Sequence, residues 1–286
     1  MERVTITVRP EQAGRTVKSL MLGELSMSKK LLSSAKFRPG GILLNGAPAR
    51  TSVRVRPGDK LSVSVADRRQ NAAVPIAMAL SILWEDDALL LLDKPAGVSV
   101  YGGNRPNLAG IFAEKWGPLH EFHPVNRLDV GTSGLMVVAK DGYTHDRLRR
   151  LLHTEYFRRE YLAVAQGALP PGSGFIDLPL SRAPVSGLRR AVDPAGLPCR
   201  TEYELLAQKD GRSVLRLRLY TGRTHQIRAH LAAIGHPLVG DRLYGADDLP
   251  LPRPALHSRR VFLRHPITGE TIDVTAPVPE DILNIM

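Results

Sequence analysis

The spacing of apolar residues changes along the chain. Residues 14–25 (GRTVKSLMLGEL) carry Val17, Leu20, Met21 and Leu25 at helical spacing. Ser28 is placed to cap a second helix running through Leu31, Leu32 and Ala35. The period then shortens. Ile42–Leu44 is a short apolar strand, and Asn45-Gly46 after it is a hairpin signal. Val53 and Val55 alternate with Arg54 and Arg56, Pro57-Gly58-Asp59 makes a turn, and Leu61, Val63 and Val65 alternate with Ser62 and Ser64. Residues 12–66 thus predict two short helices packed on a small hairpin sheet.

Residues 67–80 read as a linker that becomes apolar. A second hairpin is predicted from Ile82–Trp84 and Ala88–Leu92, separated by three acidic residues. Leu135–Ala139 reads as a buried strand. His145–His153 reads as an amphipathic helix, with Leu148, Leu151 and Leu152 inward and Arg147, Arg149 and Arg150 outward. Tyr161–Ala165 alternates, residues 170–198 form a long Pro-, Gly- and Arg-rich loop without period, and Val214–Leu219 is a strand. A helix is expected from about Thr224 to Ile234, stopped by Gly235, with Ile227, Leu231 and Ile234 as its buried stripe. Leu256–Leu263 and Thr271–Thr275 close the chain as strands. Strands outnumber helices and many hairpins are local, so the expected fold class is α+β, with a mainly antiparallel mixed sheet and a small N-terminal module. The expected division is 1–70 and 71–286.

Composition sharpens that division. The 286 residues are 43% hydrophobic and 23% charged, as in ordinary folded soluble proteins, but the formal net charge is +11. Residues 1–70 hold 14 Lys and Arg against 5 Asp and Glu, a balance of +9; the rest of the chain adds only +2. The 30 Arg outnumber the 9 Lys, and a planar guanidinium binds phosphate bidentately and stacks on bases. High-GC codon usage explains the Arg excess equally well, but not the clustering. A basic nucleic-acid-binding module ahead of a near-neutral main domain follows.

Several classes fall away. The single Cys199 excludes an intrachain disulfide and a multi-cysteine zinc site. No apolar run approaches the roughly 18 residues of a membrane span. Met1, Glu2, Arg3 and Val4 do not open a signal peptide, so a cytoplasmic protein with no membrane partner is expected. There is no GxxxxGK[ST] loop and no strand-borne GxGxxG, so no nucleotide cofactor is expected. His225 and His230 stand about 140° apart on a helix, which argues against a shared metal; neither metal nor cofactor is expected.

Two clusters carry candidate chemistry. Residues 123–140 (HPVNRLDVGTSGLMVVAK) make a tight polar loop that presents Asp129 beside a strand, with Gly131 and Gly134 allowing unusual backbone or close approach. From spacing alone, such an aspartate is more often a turn or cap residue than a catalyst. Residues 221–245 (TGRTHQIRAHLAAIGHPLVGDRLYG) place Arg228 about 100° from the apolar stripe, where it needs an acidic or phosphate partner or must reach water.

NRLDVGTSGL, REYLAVAQG, TGRTHQIRAHL and GHPLVGDRLYG, in that order, resemble the RluA family of RNA pseudouridine synthases, as does LLDKPAGVSV upstream. The resemblance covers roughly residues 80–286. SKKLLSSAKF, GGILLNG and VRPGDKLSV in the first module resemble the S-four-type RNA-binding domain that many members of that family carry. The resemblance implies the pseudouridine synthase fold and isomerisation of uridine within RNA. It assigns Asp129 as the catalytic carboxylate, Tyr161 as the ring that stacks on the base, Arg228 as the partner of Asp129, and Arg127 as an RNA contact. Arg159 stands where a basic residue, often Lys, precedes the tyrosine, and Arg158 and Arg159 are expected to meet RNA. Lys29 and Lys30 stand where S-four-type domains often have Arg. Asn126 replaces the usual His before Arg127. Ribosomal RNA of the large subunit is the favoured substrate, transfer RNA the alternative, and the expected state is a monomer. A non-catalytic RNA-binding or ribosome-assembly protein is disfavoured by the retained Asp129, Tyr161 and Arg228. A carboxylate hydrolase would need a second acid, and none accompanies Asp129 in its motif.

Overall fold

The computed structural model describes residues 3–66, 71–102, 105–117, 120–183, 187, 189–245 and 251–286. Of the expected linker, 67–70 lies outside the described residues, as do 184–186 and 188 of the expected long loop.

The first module contains β1 (Arg3–Thr7), α1 (Val17–Leu22), α2 (Lys29–Lys36), β2 (Ile42–Leu44), β3 (Ala47–Pro48) and β4 (Lys60–Ser64). Its sheet has the order β1-β4-β2-β3. Thr16 caps α1 by accepting from the Ser19 amide, and Ser28 caps α2 by accepting from the Leu31 amide. Asn45 and Gly46 both have positive φ, as the tight turn between β2 and β3 requires. Leu20, Met21, Leu31, Leu61 and Val63 form its core. The Val53–Val55 alternation does not make a strand: Val55 is buried, Val53 is exposed, and the segment joins α1 through one isolated bridge between Thr16 and Arg54.

The main body follows as β5 (Ser81–Glu85), β6 (Leu89–Lys94), α3 (Leu108–Trp116), β7 (His123–Pro124), β8 (Ser133–Ala139), α4 (Gly142–Leu151), β9 (Phe157–Gln166), β10 (Ser173–Ile176), β11 (Leu180–Arg182) and β12 (Arg190–Val192). It is completed by β13 (Thr201–Lys209), β14 (Arg212–Leu219), α5 (Gln226–Ala233), β15 (Leu256–Arg264), β16 (Thr271–Thr275) and α6 (Glu280–Leu283). Ten strands form one sheet, ordered β10-β13-β14-β9-β15-β8-β6-β5, with β16 beside β15 and β7 beside β8. Its pairings are antiparallel except β8 with β15, so the α+β, mainly antiparallel reading holds. No helix among the described residues is long and apolar enough to cross a membrane.

The sheet is covered on both faces. Leu90, Leu92, Met136, Val138, Ala163 and Leu217 pack with Phe112 of α3 and Ile227 and Leu231 of α5. Leu89, Leu91, Leu135 and Val137 pack on the opposite face with Leu148 of α4. The runs Leu89–Leu92 of β6 and Leu135–Ala139 of β8 are therefore continuously apolar rather than alternating.

Three expected elements shift. Helix α4 starts at Gly142, earlier than expected, because Asp141 caps it by accepting from the Thr144 amide at 2.8 Å. Arg147 does not point to water: it donates to the Pro266 carbonyl at 2.7 Å and reaches Tyr143 Oη and the Leu25 carbonyl. Tyr143 belongs to the core of the first module, so α4 is where the two bodies join. Helix α5 begins only at Gln226, and Ile234 lies just past its end, 37% exposed. The 170–198 segment is not one loop; it holds β10 and the β11–β12 hairpin.

Candidate active site

The loop between β7 and β8 presents Asp129, and its backbone is tied from several sides. The Gly97 amide donates to the Val130 carbonyl at 2.8 Å, and the Thr132 amide donates to the Asp129 carbonyl at 3.1 Å. Arg253 donates to the Gly131 carbonyl at 3.3 Å. A Cβ on Gly131 would stand 2.8 Å from Pro254 Cδ, so the loop packs closer than a side chain permits. Asn126 is buried, and its side-chain oxygen accepts from the Val137 amide at 2.8 Å. The residue that departs from the family pattern thus fastens the loop to β8.

Lys94 is fully buried behind this loop. Its Nζ donates to the carbonyls of Pro95 at 2.8 Å, Val98 at 2.9 Å and Val130 at 3.4 Å. Burial lowers its pKa to about 8, against a smaller opposing pull from Asp129.

Opposite the loop, α5 supplies Arg228. Its Nη1 lies 3.3 Å from Asp129 Oδ2. Its stronger contact is elsewhere: Nε and Nη2 donate to the two carboxylate oxygens of Asp241 at 2.7 and 2.8 Å. Asp241 is fully buried, whereas the Asp129 side chain is 26% exposed. One guanidinium therefore holds a buried carboxylate bidentately and offers its outer edge to the open one. His225, just before α5, has a left-handed backbone (φ 56), rare for a residue with a side chain. Its Nε2 lies 3.8 Å from Asp129 Oδ2, and its Nδ1 lies 3.2 Å from Tyr244 Oη. Burial lowers its pKa, with Asp129 opposing. Tyr244 also accepts from the Arg190 amide at 2.6 Å and lies beside the Arg228 guanidinium, 5.2 Å from ring centre. The β11–β12 hairpin is latched to the site through that hydroxyl.

Tyr161 projects from β9 into the same cavity and is 4% exposed. Burial raises its pKa, so its hydroxyl stays protonated near neutrality. Arg159 points to the same face and bonds His153 Nδ1 at 3.2 Å. Burial and then the Arg159 and Arg223 charges lower the His153 pKa to about 4, so it is neutral. The open cavity they line measures about 770 Å³, enough for a nucleotide. Its described lining includes Arg127, Arg149, Arg159, Arg223 and Arg228, with Asp129 as the one acid.

The expected residues thus divide. Asp129, Tyr161, Arg228, Arg127 and Arg159 meet at one cavity. Arg158 does not: strand alternation turns it to the other face of β9, where it stacks over Phe262 at 4.3 Å. Lys29 and Lys30 sit exposed at the start of α2, in the first module and outside this lining. The histidines His230 and His236 are each bonded locally, His230 between Thr201 Oγ1 and the Leu178 carbonyl, and His236 to the Gln166 carbonyl.

Residues 88–233, just over half of the chain, match the family of RNA pseudouridylate synthases. The chain belongs to this family. A Bacillus subtilis protein described as an uncharacterized RNA pseudouridine synthase, YhcT, is 34% identical over 98% of this chain and 95% of its own. Ribosomal large subunit pseudouridine synthase D of Xanthomonas campestris is 36% identical over 98% of this chain and 90% of its own. Among solved structures, human RNA pseudouridylate synthase domain containing 1 superposes with a TM-score of 0.60 at 26% identity, covering 72% of this chain and 86% of that one. The protein is therefore an RNA pseudouridine synthase of RluA type, an isomerase whose partner is RNA.

Within that synthase frame, sequence reasoning passed over Asp241, Lys94, Tyr244 and the exposed Tyr101 at the cavity rim. For Asp241 a signal existed: a buried-edge arginine demands an acid, and GDRLYG follows the THQIR helix closely. Lys94 lies in LLDKPAGVSV, a stretch that carries the family resemblance, but DKPAG read as a turn gives no sign that the lysine is buried.

Proposed function

We propose that this synthase isomerises a uridine in large-subunit ribosomal RNA, with Asp129 as the reacting carboxylate. The observation that carries the reading is the cavity itself, in which one partly exposed acid faces five arginines. A uridine must leave its stack to reach it. Asp129 starts the reaction as nucleophile or base, the bond from uracil N1 to the sugar C1′ breaks, the base turns, and C5 bonds to C1′. The C5 proton is lost and N1 gains one, so the product is an isomer and no redox partner or energy source enters. Tyr161 gives the detached ring a flat apolar surface, and its protonated hydroxyl stands ready for proton transfer at C5. Arg228 fixes Asp129, and Arg127 at the rim takes a phosphate or fills the gap left by the turned-out base.

The first module is read as an S-four-type RNA-binding domain. Support comes from its +9 balance, the exposed Lys29 and Lys30 at the start of α2, and relatives that align over 98% of the chain. Relatives described as ribosomal large subunit pseudouridine synthase D support the choice of RNA.

The test is incubation with unmodified large-subunit ribosomal RNA followed by site-resolved pseudouridine mapping. Wild type is expected to form pseudouridine and Asp129→Asn to form none while keeping its fold. Turnover by Asp129→Asn overturns the role of Asp129. Product found in transfer RNA and not in ribosomal RNA overturns the substrate.

A further inference from the structure

A second basic cavity lies on the other side of α4 from the Asp129 pocket. It measures about 380 Å³ and is lined by Ser26 of the first module, Arg147, Arg150 and Leu151 of α4, Arg264 of β15, and residues 265–269 of the turn before β16. No Asp or Glu is among its described lining residues. Arg147 is committed to the carbonyls of Pro266 and Leu25. Arg150 is exposed, and no acid among the described residues pairs with it. Arg264 is also exposed and donates only Nε, to the Gly269 carbonyl at 3.0 Å, while lying 5.7 Å from the centre of the Tyr156 ring. Tyr156 is itself 42% exposed.

The two cavities share the last turn of α4 as their dividing ridge. Arg149 and Leu152 line the Asp129 pocket, and Arg150 and Leu151 line the second cavity. Cations at a helix C-terminus also complement its dipole, which accounts in part for Arg149 and Arg150. It does not account for Arg264, which stands on a strand and faces the same space.

Resting on the function proposed above, we propose that the substrate RNA continues from the Asp129 pocket across this ridge into the cleft between the first module and the main body. Arg149, Arg150 and Arg264 take successive phosphates there. The ridge is one helix wide, about 10 Å with side chains, a span that a few nucleotides cross. Unpaired arginines, an acid-free lining and an exposed tyrosine suit a sugar-phosphate strand with a base laid on the ring.

The test uses the full-length chain and an unmodified large-subunit ribosomal RNA transcript, with affinity measured across ionic strength. R150E with R264E is expected to weaken binding at least tenfold and to flatten the slope of log affinity against log salt by about one to two. R150K with R264K is expected to restore most of both. K209E, a charge change on the exposed end of β13, is the control. Independently, a photo-crosslinker on S26C, with the native Cys199 buried, is expected to capture the transcript. A double variant that binds like K209E, with thermal unfolding unchanged, overturns the path; so does a folded, labelled S26C protein that captures no RNA. These are binding readouts, so turnover by Asp129→Asn would remove the catalytic assignment without deciding the path.

Discussion

Arg228 is anchored by Asp241 at 2.7 and 2.8 Å and only leans on Asp129 at 3.3 Å. The order matters. A buried pair whose positive member also touches the carboxylate proposed to react acts as a fixed bracket, and the bracket must survive for Asp129 to keep its place. Asp241→Ala is expected to cost about 3–5 kcal/mol of stability, because it leaves a guanidinium buried without its charge partner. Asp241→Asn keeps the shape and loses the charge; pseudouridine formation should fall at least tenfold while the chain stays folded. Denaturant unfolding and single-turnover rates check the two effects separately. Arg228→Lys should also lose most activity, since one ammonium cannot hold two oxygens of Asp241 and reach Asp129.

Lys94 makes stability depend on alkaline pH. Its pKa of about 8 in the folded protein lies below the ordinary 10.5, so between these values the unfolded chain binds more protons. Stability contributed by this group therefore rises with pH across that window. The gap is worth about 3 kcal/mol. Urea unfolding of wild type against Lys94→Met at several pH values should show wild type gaining on the variant from about pH 8 to about pH 10.5. A constant difference would mean that Lys94 is not held as described.

Neighbouring arginines on β9 should behave oppositely. Arg159→Ala removes a cation from the Asp129 cavity and should lower turnover and RNA affinity. Arg158→Ala removes a stack on Phe262 and should cost about 0.5–1 kcal/mol of stability with turnover retained. Equal losses of activity would contradict the separation of the two faces.

Gly134 is fixed by geometry. It has φ 106, and an added Cβ would overlap the backbone of Ser258 where β8 meets β15. Gly134→Ala should cost at least about 2 kcal/mol, through backbone strain and overpacking at the strand that carries the Asp129 loop. Thermal unfolding of the variant measures it.

Local physics made much of this legible from sequence. Ser28 announced α2, Asn45-Gly46 its hairpin, and the apolar run 135–139 the strand behind Asp129, because caps, turns and buried strands are written in adjacent residues. The strands within 170–198 were hidden for the opposite reason, whereas β14, β15 and β16 beyond them were legible from their alternation. Strands β10, β11 and β12 span three or four residues each, too short to show a period, and they exist because distant partners pair with them. Arg158 and Arg159 looked alike in a basic run, and only the strand assignment sends them to opposite faces. The Arg228 partner was divided for a similar reason: a motif names neighbours in sequence, whereas the loop that brings Asp241 beneath α5 is a tertiary event.

Tyr143 gives the molecule a rigid span. Its ring is 3% exposed and packs in the core of the first module although it grows from α4 of the main body. Swinging the module away would wet that ring and break the bond Arg147 makes across the joint to the Leu25 carbonyl. The enzyme is therefore built as a caliper rather than as two hands on a string. Its jaws are the first module and the Asp129 pocket; with the RNA-binding roles proposed for both, it would measure a fixed distance on an RNA between a gripped feature and one uridine.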